Sequence, residues 1–324
     1  MTTTLVTGGA GYIGMLACAE LAASGRRVRA LDNLLHGQHD QVAALEAGGV
    51  EVHVGDIRDP AARAAALAGA DEVVHLAAIV GDPACAVDPA LAAEVNVEGS
   101  RGLVQDARAA GVPRMVFAST CSNYGRMADP TVPITEDGTL APVSLYAEQK
   151  VGIERALLDT DYAPLLPTCL RFATVYGVAP RMRFDLTVNE FTRDLWADKH
   201  LEVFGEQFWR PYVHVRDVAR AVRLVLDTPE EKVGRRVFNV GRSGENYRKL
   251  DLVEEIRRQT DHGEVSFVAR TEDPRDYKVS FDRIRAELGF ETTVTVPEGI
   301  AEVLAGLEAG AFRDAFSRVH RNTD

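Results

Sequence analysis

A chain of 324 residues, 46% hydrophobic and 26% charged, has the length for two domains and the balance of a soluble globular protein. Its 48 acidic against 36 basic residues give a net charge of −12, which excludes long-range attraction to nucleic acid or an anionic membrane. An anionic ligand would need a local arginine cluster instead. The four cysteines, Cys18, Cys85, Cys121 and Cys169, have neither metal-ligand spacing nor the pattern of a disulfide framework, so no metal is expected and a reducing cytoplasm fits. No basic segment precedes an apolar run at the start, and no stretch has the length of a membrane span. The expectation is an untargeted cytoplasmic protein with disorder, at most, in the polar tail after Phe316.

Thr3–Thr7 reads as a strand, a glycine-rich turn follows, and Tyr12–Ser24 carries Ile13, Leu16, Ala17 and Leu21 at helical spacing. Val28–Asp32, Val50–Val54, Glu72–Leu76 and Met115–Ser119 read as the next strands, with alanine-rich helical stretches between most of them. Pro89–Ala110 is long enough for a full crossover helix, Ser144–Asp159 for another, and Thr168–Phe172 reads as the strand after it. Such alternation predicts an α/β fold, a Rossmann-type doubly wound parallel sheet covered on both faces. Beyond Gly177 the alternation weakens and Pro, Arg and aromatic residues become prominent. The expected division assigns 1–176 to the sheet domain, with a return at about 213–242 through the strand Val237–Gly241. The segments 177–212 and 243–324, the latter including a helical run Arg248–Gln259, then form a smaller α/β domain that binds the substrate.

Gly9, Gly11 and Gly14 give G-x-G-x-x-G, with Gly8 as a fourth glycine. The run follows a predicted strand and opens a predicted helix, so backbone N–H groups and the positive helix end can meet a pyrophosphate. Asp32 closes the second strand, where a carboxylate accepts hydrogen bonds from ribose hydroxyls and repels a 2′-phosphate; NAD is therefore favoured over NADP. Asp56-Ile57, after the third strand, reads either as an adenine contact or as a turn before the helix that starts at Asp59-Pro60.

Tyr146 and Lys150 stand four residues apart on a predicted helix, which places phenol and ammonium on one face. A neighbouring cation lowers a tyrosine pKa from about 10 and makes a phenolate base available. Tyr-x-x-x-Lys alone is an ordinary surface pair; here Ser119-Thr120 ends the fifth strand on the same sheet edge, where a hydroxyl can bond a substrate alcohol as it becomes a carbonyl.

With these features the chain resembles the extended short-chain dehydrogenase/reductase family, in its nucleotide-sugar epimerase and dehydratase group. Seven ordered stretches carry the resemblance between Thr4 and about Gly310: Thr7–Gly14, His75–Ala78, Asn96, Ser119–Gly125, Tyr146–Lys150, Arg171–Gly177 and Arg210–Asp217. It implies Thr120 as catalytic hydroxyl, Tyr146 as base, and Lys150 as the group that lowers the tyrosine pKa and holds the nicotinamide ribose. It implies a dinucleotide site of Gly8, Gly11, Tyr12, Ile13, Gly14, Asp32, Asn33, Asp56, Ile57, Leu76, Ala77, Ala78, Asn96, Ser119, Tyr146 and Lys150. For the sugar nucleotide it implies Asn189, Arg210 and Arg275 at the diphosphate and base, with Arg181, Arg183 and His214 as weaker matches, and Thr120, Cys121, Ser122, Tyr146 and Thr174 at the sugar. The arginines suit phosphate oxygens, although surface ion pairing is their simpler reading. Asp82 and Cys85, in the loop after the fourth strand, either face the sugar or cap and pack the next helix.

The departures from that family separate its reactions. The 4,6-dehydratases follow the catalytic threonine with Asp-Glu and the decarboxylases keep a Glu two residues after it, where this chain has Cys121 and Ser122. The 3,5-epimerases carry a cysteine one place further on than Cys121, and Thr174 replaces a common substrate-contacting Asn. The reading that remains is an NAD-dependent nucleotide-sugar epimerase working at C4 by transient oxidation, as a homodimer. A 4-ketoreductase would use the same residues, whereas an NAD-binding sensor would need none of Thr120, Tyr146 and Lys150.

Overall fold

The computed structural model describes residues 1–126, 129, 131–269 and 275–322. Its strands are β1 (Thr3–Thr7), β2 (Arg27–Asp32), β3 (Glu51–Val54), β4 (Glu72–His75), β5 (Arg114–Thr120), β6 (Leu166–Phe172), β7 (Thr174–Tyr176), β8 (His200–Phe204), β9 (Trp209–His214), β10 (Arg236–Val240), β11 (Asn246–Arg248) and β12 (Glu264–Val268). The helices in the first half are α1 (Tyr12–Ala23), α2 (His39–Ala47), α3 (Pro60–Leu67), α4 (Asp82–Val87), α5 (Pro89–Ala93), α6 (Ser100–Ala109) and α7 (Leu145–Asp159). Those of the second half are α8 (Thr187–Trp196), α9 (Val215–Asp227), α10 (Glu230–Val233), α11 (Lys249–Arg257), α12 (Asp282–Leu288) and α13 (Val296–Glu308).

Seven strands form one sheet in the order β10-β6-β5-β4-β1-β2-β3, every neighbouring pair parallel. The order runs outward from β1 in both directions, which is the doubly wound pattern, and it opens a crevice beyond the carboxyl ends of β1 and β4. β1 and β4 are buried along their whole length, because helices cover both faces of the sheet. One apolar cluster joins Val6, Val74, Val116 and Leu170 to Cys18 and Leu21 of α1 and to Val218 and Val222 of α9; the other joins Leu5, Val73, Met115 and Phe117 to Leu103 of α6 and Ile153 of α7.

Two small sheets, β11-β9-β7 and β12-β8, carry the rest, around Val188, Leu195, Tyr212, Leu252 and Ile300. β7 already belongs to the first of them, so the chain leaves the large sheet after Phe172, not at Gly177, and β10 pairs with β6 when it comes back. The stretch Pro89–Ala110 is not one regular helix: a π-helical turn over Glu94–Gly99 separates α5 from α6. After Phe316 a 3-10 turn spans Arg318–His320, with the His320 carbonyl accepting from the Phe184 N–H at 2.8 Å.

Candidate active site

β1 delivers the chain into a turn that only glycine can make. Gly8 lies at φ +74°, and a Cβ on Gly14 would sit 2.0 Å from the Gly8 carbonyl oxygen, so α1 is packed directly on the turn. Gly11 caps α1 with no side chain, and no acidic residue stands in the first turn. The open N–H groups of that turn face a cleft lined by Gly8, Gly11, Tyr12, Ile13 and Gly14, by Asp32 and Asn33, by Ile57, and by Leu76, Ala77 and Ala78. An uncapped helix end at the floor of a long cleft is a fitting seat for a diphosphate. Asp32 is anchored by the N–H groups of Ala10 (3.0 Å) and Leu34 (2.9 Å), and burial raises its pKa.

At the other end the cleft is lined by Ser119, Tyr146, Lys150 and Phe172. Ser144 caps α7 through the Ala147 N–H, which sets the register that turns Tyr146 and Lys150 to one side. Lys150 is buried; its Nζ donates to the Ala118 carbonyl at 2.9 Å and lies 5.9 Å from the Tyr146 ring centre. Burial pushes this ammonium down to about 8. The Tyr146 phenol moves the other way: burial, helped by Cys85 and Asp82, holds it above the usual range. Arg183 is the cation that pulls this phenol back toward its ordinary value, and loss of solvent outweighs it. Thr120 ends β5 with its Oγ1 accepting from the Ser122 N–H at 3.1 Å, which leaves the hydroxyl proton to donate elsewhere.

Four residues expected at the site have side chains engaged by other residues of the protein, Asn189, Asn96 and Cys121 in its interior and Asp56 in a partly exposed ion pair. Asn189, fully buried, accepts from the Gly177 N–H (2.9 Å) and donates to the Arg183 carbonyl (2.9 Å) and Tyr12 Oη (3.2 Å). Asn96 bonds both backbone groups of Ile79 and the Gln149 side chain, so it ties the loop after β4 to α7. The Asp56 carboxylate is taken by Arg58, whose hydrogen bonds lower it to about 2, and by Asn33; only its neighbours Gly55 and Ile57 reach the cleft. Cys121 is rotated inward by the 3-10 turn Cys121–Tyr124, and its Sγ donates to the Arg171 carbonyl. His214 is likewise internal, paired with Glu302 at 2.7 Å.

Beside the sugar end, Asp82 accepts from Arg275 Nη1 and from Ser144 Oγ, each at 2.6 Å, and Thr174 is half-buried at the head of β7. The structure brings in a residue that sequence reasoning missed: Tyr277 donates to Ser122 Oγ at 3.4 Å and lies under the Arg210 guanidinium, 5.3 Å away. Arg210 thus stacks on Tyr277 beside Ser122, while Arg275, two residues before Tyr277, is held by Asp82. The only sequence signal for Tyr277 was an aromatic residue two places from Arg275. Cys85 is buried, donating to the Ile79 carbonyl.

The model of the NAD dependent epimerase/dehydratase family matches residues 4–241. The UDP-glucose 4-epimerase of Corynebacterium glutamicum is 33% identical over 96% of this chain and 95% of its own length. UDP-glucuronate 4-epimerase 3 of Arabidopsis thaliana is 30% identical over 92% of this chain and 74% of its own. The UDP-glucose 4-epimerase of Thermus thermophilus, solved with NAD, superimposes with a TM-score of 0.83 at 28% identity, over 95% of this chain and 99% of that one.

Proposed function

The chain belongs to the NAD dependent epimerase/dehydratase family, and from that premise we propose that it inverts C4 of a UDP-activated sugar through residues Tyr146, Lys150 and Thr120. It is an NAD-dependent nucleotide-sugar epimerase; the nucleotide and the roles of single residues are our assignments. The observation that carries inversion over elimination is the end of β5. Dehydration needs an acid and a base at the sugar, but Cys121 is buried on the Arg171 carbonyl and the nearby carboxylate, Asp82, is paired with Arg275.

When bound, NAD supplies the hydride acceptor and donor that turns the C4 alcohol into a ketone and back. The glycine turn and the α1 end hold its diphosphate, Asp32 its adenosine ribose, and Lys150 its nicotinamide ribose. Tyr146 Oη takes the hydroxyl proton as the ketone forms and returns it to the inverted alcohol. Thr120 donates its free hydroxyl proton to the same oxygen, and Arg210, Arg275 and Tyr277 hold the nucleotide diphosphate.

As purified, the protein should carry NAD and interconvert UDP-glucose and UDP-galactose, or the corresponding uronates, with no added cofactor, read by NMR. Stoichiometric loss of NADH with a keto sugar and no isomerisation would establish the ketoreductase instead. Asp32→Ala is expected to weaken NAD about tenfold and to narrow its preference over NADP, because the acceptor for the ribose diol and the charge that repels a 2′-phosphate vanish together. An unchanged NAD-to-NADP ratio would remove Asp32 from the site.

Four free, buried cysteines suit a reducing compartment, so a cytoplasmic location is proposed, together with a homodimer that sedimentation would reveal. Among the described residues no helix is long and apolar enough to cross a membrane.

A further inference from the structure

The adenosine end of the cleft, marked by Asp32 at the close of β2, is roofed by segments distant in sequence. The Pro180 carbonyl accepts from Gln41 Nε2 at 3.1 Å, which pins the loop before α8 onto α2. From that loop Arg181 and Arg183 turn into the cleft and, with Asn322, complete its lining. The C-terminal segment grips the loop from outside. Arg181 Nη1 donates to Asn322 Oδ1 at 2.7 Å and Nη2 to the Arg321 carbonyl at 3.0 Å, while the Asn322 N–H donates to Asp185 at 3.0 Å. The His320 ring stands edge-on to Phe184 and Phe312.

Arg183 gives its Nε and Nη2 to the Asp185 carboxylate. Arg181 differs. It is only 5% exposed, and its Nε has no hydrogen-bond partner among the described residues. Buried polar groups are satisfied by some partner, and Arg181 is one of the residues that line the cleft. Asp32 and Arg181 are close enough for each to shift the other's titration, and burial, helped by Arg181 and Arg183, pushes the His36 imidazole down to about 4. The adenosine ribose and its phosphate offer hydroxyl donors to Asp32 and acceptor oxygens to an arginine facing it.

We propose that Arg181 binds the adenosine half of the dinucleotide, donating Nε–H to a ribose or phosphate oxygen, and that its capture by the C-terminal segment slows cofactor release. This rests on the NAD reading above. The protein, stripped of cofactor, is titrated with ADP-ribose, and with UDP for comparison; release of bound NADH is followed by fluorescence. Arg181→Met should lose about tenfold or more in ADP-ribose affinity and release NADH about ten times faster, with UDP affinity held within about twofold. Asn322→Ala, which frees Arg181 from its outer tether, should also speed NADH release. Unchanged ADP-ribose affinity in Arg181→Met, or an equal loss for UDP, overturns the proposal. Wild-type protein that binds no ADP-ribose overturns the dinucleotide reading itself, and the role of Arg181 with it.

Discussion

Tyr146→Phe is expected to lower kcat about a thousandfold while the purified protein still carries its NAD, because only the oxygen that exchanges a proton with the sugar is lost. The ring lines the cleft with the rest of α7 unchanged, so the phenyl group keeps the packing and the register of Lys150. Burial, with Cys85 and Asp82, holds the phenol above its usual range, so proton removal depends on positive charge beside it. Lys150 is one such charge. Burial depresses it from 10.5 to about 8, so it is protonated below that pH and neutral above it. The wild-type kcat/KM should therefore fall as pH rises through about 8, and the residual rate of Tyr146→Phe should not follow that limb. Full activity in the phenylalanine variant would remove the mechanism.

The parts of this site that depend on short-range geometry were legible in the sequence. Strand, glycine turn and uncapped helix occupy consecutive residues from Thr3 to Ala23, and an acid ending β2 follows from the same parallel pairing. Other side chains expected at the site are taken up by protein partners that no local pattern announces. Asn189 has the chemistry of a ligand contact, but its amide is consumed by Tyr12, Gly177 and Arg183, and a sequence says nothing of that competition. Asn96 is consumed in the same way by Ile79 and Gln149. Cys121 follows a residue at the site, and strand alternation gives it no defined face once the 3-10 turn begins. Arg181 was read as a weak partner for the sugar nucleotide; the bond between Gln41 and Pro180, which no pattern announces, turns its loop toward α2.

The largest stability effect should come from beneath the site, at Glu154. Its carboxylate is buried with the Arg171 guanidinium, Nη2 at 2.5 Å and Nε at 3.1 Å from its oxygens, and it also accepts from Ser119 Oγ at 2.5 Å. Arg171 in turn donates to Tyr124 Oη (2.7 Å) and the Glu136 carbonyl (3.1 Å), and Tyr124 donates to Asn239 (2.7 Å). One network thus joins α7, the ends of β5 and β6, and β10, directly under Ser119 and Thr120. Attraction within a buried pair is largely cancelled by the cost of removing both charges from water, but deleting one partner strands the other. Glu154→Leu is therefore expected to destabilise the protein by about 3–5 kcal/mol, whereas Glu154→Leu combined with Arg171→Met should recover much of that loss. The corresponding fall in Tm for the single variant is on the order of 10 °C, measured at fixed NAD so that cofactor linkage does not enter the comparison. Glu154→Gln, which keeps the acceptor for Ser119 and loses only the charge, should fall between wild type and leucine. A double variant no more stable than Glu154→Leu would mean that the hydrogen bonds to Ser119 and Tyr124, rather than the stranded guanidinium, set the cost.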